Sequence, residues 1–401
     1  MRKLILAIVV ILGFTVVSSA QFLPKKFGKG FHVIGKDSTF YMKFGFRFQN
    51  LYTSEWSLAD DKISGAEDHE SAFLIRRSRF KFDGWALTPK IKYKFELGLS
   101  NRDNSGGISS EFRTTPRFIL DASVEWNFYE NFSILFGQRK LPGNRERVIS
   151  SGNMQFVDRS RLNSRYNIDR DMGLQLKHKL KLGKSLLKST IALTQGEGRN
   201  VTEGNFGGSC YTFHLDFLPM GKFASKGDYV GSDIKREPTP KLGIAVAYDF
   251  NQNAVRERGQ NGSFIQDSIG NYVGRDLNTF FADLMFKYRG LSVMMEYVDK
   301  RAANDNPFVL DGEDVLIGTF YTGTGFNVAM GYLLKSNYEI AVRYTDINPT
   351  EGVSNDETHY TLGFSKYVVG HKLKIQTDFS LIEKEGRDDA LLIRAQMDIH
   401  F

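Results

Sequence analysis

The chain has 401 residues, 41% hydrophobic, 25% charged and 13% aromatic, with 33 Phe, 17 Tyr, 38 Gly and only 9 Pro. Its single cysteine, Cys210, excludes an intrachain disulfide, so the fold must hold without crosslinks. The formal net charge of +7 admits nucleic acid, membrane or small anions as partners, while no stretch after residue 20 approaches the ~20 apolar residues of a spanning helix.

In chain order, Met1, Arg2 and Lys3 form a short positive start, Leu4 to Val17 a nearly unbroken apolar run, and Ser18, Ser19 and Ala20 a small-residue cleavage site. This pattern predicts a secretory signal peptide over residues 1–20 and a mature chain from Gln21. Export makes nucleic acid the weakest of the three partners.

Alternation of apolar and polar residues follows, the signature of strands whose two faces meet different surroundings. Phe40, Met42, Phe44, Phe46 and Phe48 oppose Tyr41, Lys43, Gly45, Arg47 and Gln49. Ser78 to Ala86, Ile91 to Leu99, Leu120 to Phe128, Phe132 to Phe136 and Met172 to Leu176 repeat it, with a weaker segment at Ser189 to Thr194 and a clear one at Tyr211 to Phe217. The second half continues with Leu242 to Tyr248, Phe280 to Tyr288, Leu291 to Tyr297, Phe326 to Tyr332, Tyr338 to Tyr344, Tyr360 to Phe364 and Leu373 to Leu381. The last segment, Ala390 to Phe401, alternates up to the final phenylalanine. About sixteen strands result, an even number, as in bacterial outer-membrane barrels.

The links alternate as well. Short ones lie at 87–90, 129–131, 289–290 and 335–337; long polar ones at 52–70, 101–117, 142–169 and 251–275. Short turns at one end and long loops at the other are the barrel rule. Residues 218–240 break it, as either a miscounted strand or a periplasmic insertion. A soluble sandwich also alternates, but the export signal, the charge on faces such as Arg77, Arg79 and Lys81, and the length of the mature chain favour a single transmembrane antiparallel β-barrel over residues 21–401.

If the apolar faces meet lipid, Lys43, Arg47, Arg77, Arg79, Lys81, Lys92 and Lys94 line the lumen, because a lipid-facing charge near the midplane costs about 2–4 kcal/mol. Arg76 has the opposite parity to Arg77, which predicts either a membrane-edge position or a bulge that turns both inward. The stretch from Pro142 to Arg170 holds Arg145, Arg147, Arg159, Arg161, Arg165 and Arg170 against Glu146, Asp158 and Asp169. A loop of this length can fold inward and narrow a pore, and rings of Arg and Lys make anion or phosphate pores. The alternative is that these charges are solvated or paired. Asp83, Glu96, Asp121, Glu125, Glu296 and Glu339 also fall on lumen faces, so the predicted channel is not uniformly positive.

Several motifs are shared with a known family. Gly137, Gln138, Lys140 and Pro142 form a Gly-Gln-x-Lys-x-Pro pattern; Phe156, Asp158, Arg159 and Ser160 follow in the loop; Arg170 to Leu174 closes it; Leu74 to Arg79 precedes it and Ala341 to Tyr344 comes later. Together these resemble the phosphate-selective porin O and P family. The resemblance implies a sixteen-stranded, trimeric porin whose third outer loop folds into the lumen, with a basic ladder leading phosphate-like anions inward. The positions it carries over are Arg76, Arg77, Arg79, Lys94, Lys140 and Arg159. Gly143 and Asp158 depart from the family pattern, which has an aromatic residue and a glutamate there.

The expected function is passive diffusion of small anions, phosphate or polyphosphate among them, across the outer membrane. The expected pathway residues are Arg47, Arg76, Arg77, Arg79, Lys81, Lys94, Lys140, Arg145, Arg147, Arg159 and Arg161. A low-selectivity diffusion porin and a plugged structural barrel are the alternatives. An outer-membrane hydrolase needs a Ser/His pair, and His69 and Ser71 sit in an acidic segment without a nucleophile elbow. No HExxH, paired CxxC or phosphate-binding Gly loop occurs, so neither a cofactor nor a metal is expected.

Overall fold

The computed structural model describes residues 20–401 apart from 24, 60–61, 64–68, 105–109, 113–116 and 203. The expected signal peptide therefore lies, but for Ala20, outside the described residues.

Sixteen antiparallel strands form the wall: β3 (Phe40–Ala59), β5 (His69–Ala86), β6 (Thr88–Gly98), β7 (Ile119–Tyr129), β8 (Phe132–Lys140), β9 (Arg170–Leu182), β10 (Ser185–Thr194), β11 (Cys210–Leu218), β12 (Lys241–Ala254), β13 (Arg275–Tyr288), β14 (Leu291–Ala302), β17 (Gly323–Leu333), β18 (Tyr338–Pro349), β19 (Glu357–Tyr367), β20 (Leu373–Lys384) and β21 (Asp389–His400). Each pairs with its neighbour in sequence, and β21 returns to β3 in a register running from Asp389↔Leu58 to His400↔Arg47. Closure leaves no free edge, so every wall strand finds its backbone partners within the barrel. All sixteen coincide with the alternating segments of the sequence.

The remaining strands are accessory. β1 (Ala20–Leu23) and β2 (Phe31–Gly35) form a hairpin whose second strand pairs with β3 below the point where β21 ends. β4 (Lys62–Ile63) extends β3, and β15 (Phe308–Leu310) pairs with β16 (Leu316–Thr319) in the link between β14 and β17.

The two faces of the wall are those the alternation implies. Apolar residues point out, as Trp126 (52% exposed) and Phe136 (60%) show, while Asp121 and Ser133 on the opposite faces of the same strands are buried. No helix among the described residues is long and apolar enough to cross a membrane; the strands do so instead. Tight turns close one end: Arg289 and Gly290 join β13 to β14, both at positive φ (45° and 96°), as a two-residue hairpin turn requires.

Three details differ from or refine the expectations. The long link expected at 52–70 is mostly strand, because β3 and β5 continue pairing from Asn50↔Ile75 to Trp56↔His69. Backbone ladders need no apolar face, so pairing persists where alternation has faded. The ladder slips between Gln49 and Asn50, which face Arg77 and Ile75 and leave Arg76 as the extra residue of a β-bulge. Both arginines are buried as a result, at 8% and 3% exposure. Finally, residues 219–240 add no wall strand; they are an insertion at the short-turn end, with a 3-10 turn at Ala224–Tyr229.

Candidate functional site

Residues 141–169 link β8 to β9 and contact side chains from strands all round the wall. The segment begins from the Gly-Gln-x-Lys-x-Pro motif, each part of which has a local task. Gly137 sits at φ 123°, and a Cβ there would run into the Ala122 carbonyl. Gln138 Nε2 donates to the carbonyls of Ile119 (2.9 Å) and Leu120 (3.0 Å), and its Oε1 accepts from the Asn200 N–H (2.7 Å), tying β7, β8 and the loop after β10 together. Lys140 Nζ donates to the carbonyls of Arg147 (2.6 Å), Val148 (3.3 Å) and Ile149 (3.2 Å). A cation thus satisfies the carbonyls that the short helix Arg145–Val148 leaves open.

A second short helix, Arg161–Tyr166, is capped by Ser160, whose Oγ accepts from the Asn163 N–H (3.2 Å). The Glu146 carboxylate in turn accepts from Ser160 N (3.0 Å) and Ser160 Oγ (2.5 Å), folding the loop onto itself.

Asp158 is the hub of the loop's outward contacts. Arg76 grips it with Nε (2.9 Å) and Nη2 (2.8 Å), Arg77 with Nη2 (2.8 Å), and Arg343 Nη1 donates to its carbonyl (2.9 Å) while the guanidinium lies 4.5 Å over the Phe156 ring. Burial alone raises the Asp158 carboxyl, but Arg77 and Arg76 outweigh it and hold the group well below the usual carboxylate range. The bulge at Arg76 has a consequence here: it turns two consecutive guanidiniums onto one carboxylate. The shared family motifs Leu74–Arg79, Phe156–Ser160 and Ala341–Tyr344 therefore meet at one point.

Beside the loop lies a cavity of about 1690 Å³. Among the described residues it is lined by nineteen Lys and Arg and ten Asp and Glu, an excess of nine positive charges. Of the predicted pathway residues, Arg76, Arg77, Arg79, Lys94, Lys140, Arg147, Arg159 and Arg161 line it; Arg47, Lys81 and Arg145 do not.

The three outside it have partners of their own. Arg145 is 1% exposed and locked between Asp283 (2.6 Å), Asp216 (3.1 Å) and the Asp228 carbonyl (3.0 Å). Arg47 is held by Asp398 (2.8 and 2.7 Å) and Ser151 Oγ (2.7 Å). Lys81 pairs with Asp83 at 3.1 Å.

Many cavity-lining cations are also paired. Arg79 meets Asp103 (2.6 Å) and Glu96 (3.1 Å), Lys94 meets Glu96 (2.9 Å) and Asp121, Arg147 meets Asp169 (2.8 Å), and Arg161 meets Glu357 (2.5 and 2.8 Å). Lys140 and Arg159 differ, since their hydrogen bonds go to backbone carbonyls; Arg159 donates to those of Glu146 (3.0 Å) and Ile149 (2.7 Å). Burial, then Arg147 and Arg77, push the Arg159 guanidinium well below its ordinary value, against the opposing pull of Glu146 and Asp158.

Sequence reasoning missed Arg102, Arg139, Lys177, Lys188, Arg199 and Arg394, which also line the cavity. Parity was available for those on recognised strands. For Arg102 and Arg199, in loops, the linear sequence carries no signal of direction.

The chain matches the family described as phosphate-selective porin O and P over residues 55–399. A protein of Aquifex aeolicus (strain VF5), described as uncharacterized, is 24% identical over 364 residues, covering 82% of this chain and 81% of that one. Similar solved structures include an anion-selective porin from Comamonas acidovorans (TM-score 0.52, 10% identity, 90% of this chain and 99% of that one). OprB of Pseudomonas putida at high pH is another (TM-score 0.53, 10% identity, 90% and 94%). At such identities these structures establish the fold alone. The family match spans nearly the whole barrel, so the chain belongs to the phosphate-selective porin O and P family and is a channel-forming porin of the bacterial outer membrane.

Proposed function

We propose that this porin passes small anions, phosphate or polyphosphate among them, and that residues 142–169 are the constriction loop of the channel. The observation carrying this reading is the charge of the cavity wall: nineteen cations against ten acids, with Lys140 and Arg159 held by carbonyls. A phosphate entering beside Arg159 exchanges water for fixed guanidinium donors, and neighbouring cations pass it on before binding becomes too tight. The family description and the anion-selective porin among the structural relatives support the same direction. A cleaved signal peptide over residues 1–20 and a homotrimeric assembly belong to this reading as well.

The test is a planar-bilayer recording of the purified porin across a potassium chloride gradient, with phosphate then added. Chloride-selective reversal potentials and block of chloride current by phosphate are expected, and Arg159→Glu or Lys140→Glu is expected to move the reversal potential toward cation preference. Unchanged potentials in both variants, with no phosphate block, end the phosphate reading. The extensive pairing of Arg79, Lys94, Arg147 and Arg161 favours a second reading, general diffusion with weak selectivity. A reversal potential near zero in the unmodified protein selects it.

A further inference from the structure

The insertion at 219–240 joins β11 to β12 at the end where the other links are tight turns. Counted round the wall from β3, β11 is the eighth strand and β20 the fifteenth. The insertion starts at the eighth and reaches the turn before the fifteenth: the Gly231 carbonyl accepts from His371 Nε2 (3.0 Å), in the link between β19 and β20. It therefore spans the periplasmic mouth as a chord close to a diameter.

It is built to stay there. Lys287 Nζ, from β13, donates to the carbonyls of Val230 (2.7 Å) and Ser232 (2.6 Å). Ser232 Oγ bonds both Glu339 of β18 (2.6 Å) and Tyr367 of β19 (2.6 Å). The Asp233 carboxylate accepts from Glu237 N (2.9 Å) and from Gly290 N in the β13–β14 turn (2.8 Å). Ser225, Lys226, Ser232 and Arg236 all hold positive φ, which non-glycine residues keep only where surrounding contacts over-determine them.

The insertion also meets the loop 141–169. Gly231 N–H donates to the Asn153 carbonyl (2.7 Å), Arg145 reaches the Asp228 carbonyl (3.0 Å), and its guanidinium lies 4.8 Å over the Tyr229 ring. Ile149 and Met154 of the loop share one buried apolar cluster with Phe223 of the insertion and Leu186, Leu218 and Met285 of the wall. Tyr229 itself faces the large cavity.

We propose that residues 219–240 form a periplasmic crossbar that closes part of the channel mouth, carries the loop 141–169 from below, and so sets the size limit for permeating solutes. The loop and the crossbar together confine passage to the cavity beside β3–β11 and β19–β21. This concerns pore cross-section and is independent of which ion is preferred.

The test replaces residues 219–240 by a two-residue Asn-Gly turn in the full-length porin, with folding checked by heat-modifiable gel mobility. Single-channel conductance is expected to at least double, and liposome-swelling assays are expected to admit a trisaccharide that the unmodified porin excludes. A double variant, Lys287→Met with Ser232→Ala, loosens the crossbar without deleting it. Its conductance is expected to lie between the two. A folded replacement variant with unmodified conductance and size limit overturns the proposal. If the replacement does not fold, unmodified values in the double variant overturn it. Reversal potentials recorded in parallel separate this outcome from a failure of the anion reading, which shifts ion preference without widening the pore.

Discussion

The two sides of the lumen are built on opposite principles. Towards β12–β14 and β17–β18, the loop 141–169 is packed by an apolar core in which Leu141, Leu162, Tyr166 and Ile168 meet Phe281, Val298, Tyr321 and Ile347. The charge there, Arg145, is sealed between Asp216 and Asp283. Towards β3–β11 and β19–β21 there is instead an open cavity rich in arginine and lysine. One side uses its arginine for architecture; the other leaves cations facing water. Arginine content in the linear sequence does not separate these settings, because a guanidinium's partners come from strands far away in the chain.

Four substitutions, and one titration with its control variant, test this contrast between the packed and the open side. The largest effect is expected from Arg145→Met, which leaves the Asp283 carboxylate buried without its cation and Asp216 with Lys188 alone, and costs about 3–5 kcal/mol in chemical unfolding. Because Arg145 does not line the cavity, the reversal potential of protein that still inserts is expected to stay put. Leu162→Ala, at a fully buried position of the same packed side, is expected to cost about 2–5 kcal/mol through lost transfer energy and the cavity it leaves.

The third test is acidification. The depressed pKa of Asp158 means its partnership with Arg77 and Arg76 stabilises the native state at every pH above the unfolded carboxylate value, and that this is lost only as pH falls through the lowered folded value. Open-channel current is therefore expected to stay quiet from neutral pH down to about pH 4 and to grow noisy only at more acid pH. Asp158→Asn, its control, is expected to give noisy current across the whole range.

Arg159→Gln reverses the Arg145 pattern. Its partners are carbonyls that water can serve, so the stability loss is expected near ~1 kcal/mol while chloride preference falls measurably in a salt gradient. The smallest effect belongs to Lys81→Met. Its ion pair with Asp83 is about two-fifths exposed and outside the cavity, so unfolding is expected to shift by less than about 1 kcal/mol with no change in selectivity.

Much of the barrel is legible in the amino-acid sequence. The alternation at Phe40–Phe48 or Leu373–Leu381 locates a strand and its two faces at once, because a lipid-facing side must be apolar at every second residue. The doubled Arg76–Arg77 admits a bulge as one of two explanations, and the register slip at Gln49/Asn50 supplies it. Residues 219–240 are legible only as a violation of the short-turn rule. Their course across the mouth depends on Lys287, Glu339 and His371, which lie from about 50 to 140 positions downstream and carry no local sign of that contact.

The order of amino acids suffices for the wall: strand number, inward and outward faces, the order of short turns and long loops, and the excess of positive charge. These follow from a period of two imposed by lipid on one face and water on the other, which each short segment expresses alone. Which arginines are enclosed by carboxylates and which line the cavity is settled by folding, because that depends on acids brought near from distant strands. The same holds for the contacts of residues 141–169 with residues 219–240, such as Gly231 with Asn153 and Arg145 with Asp228: they depend on closure of the barrel, a constraint that no single segment contains.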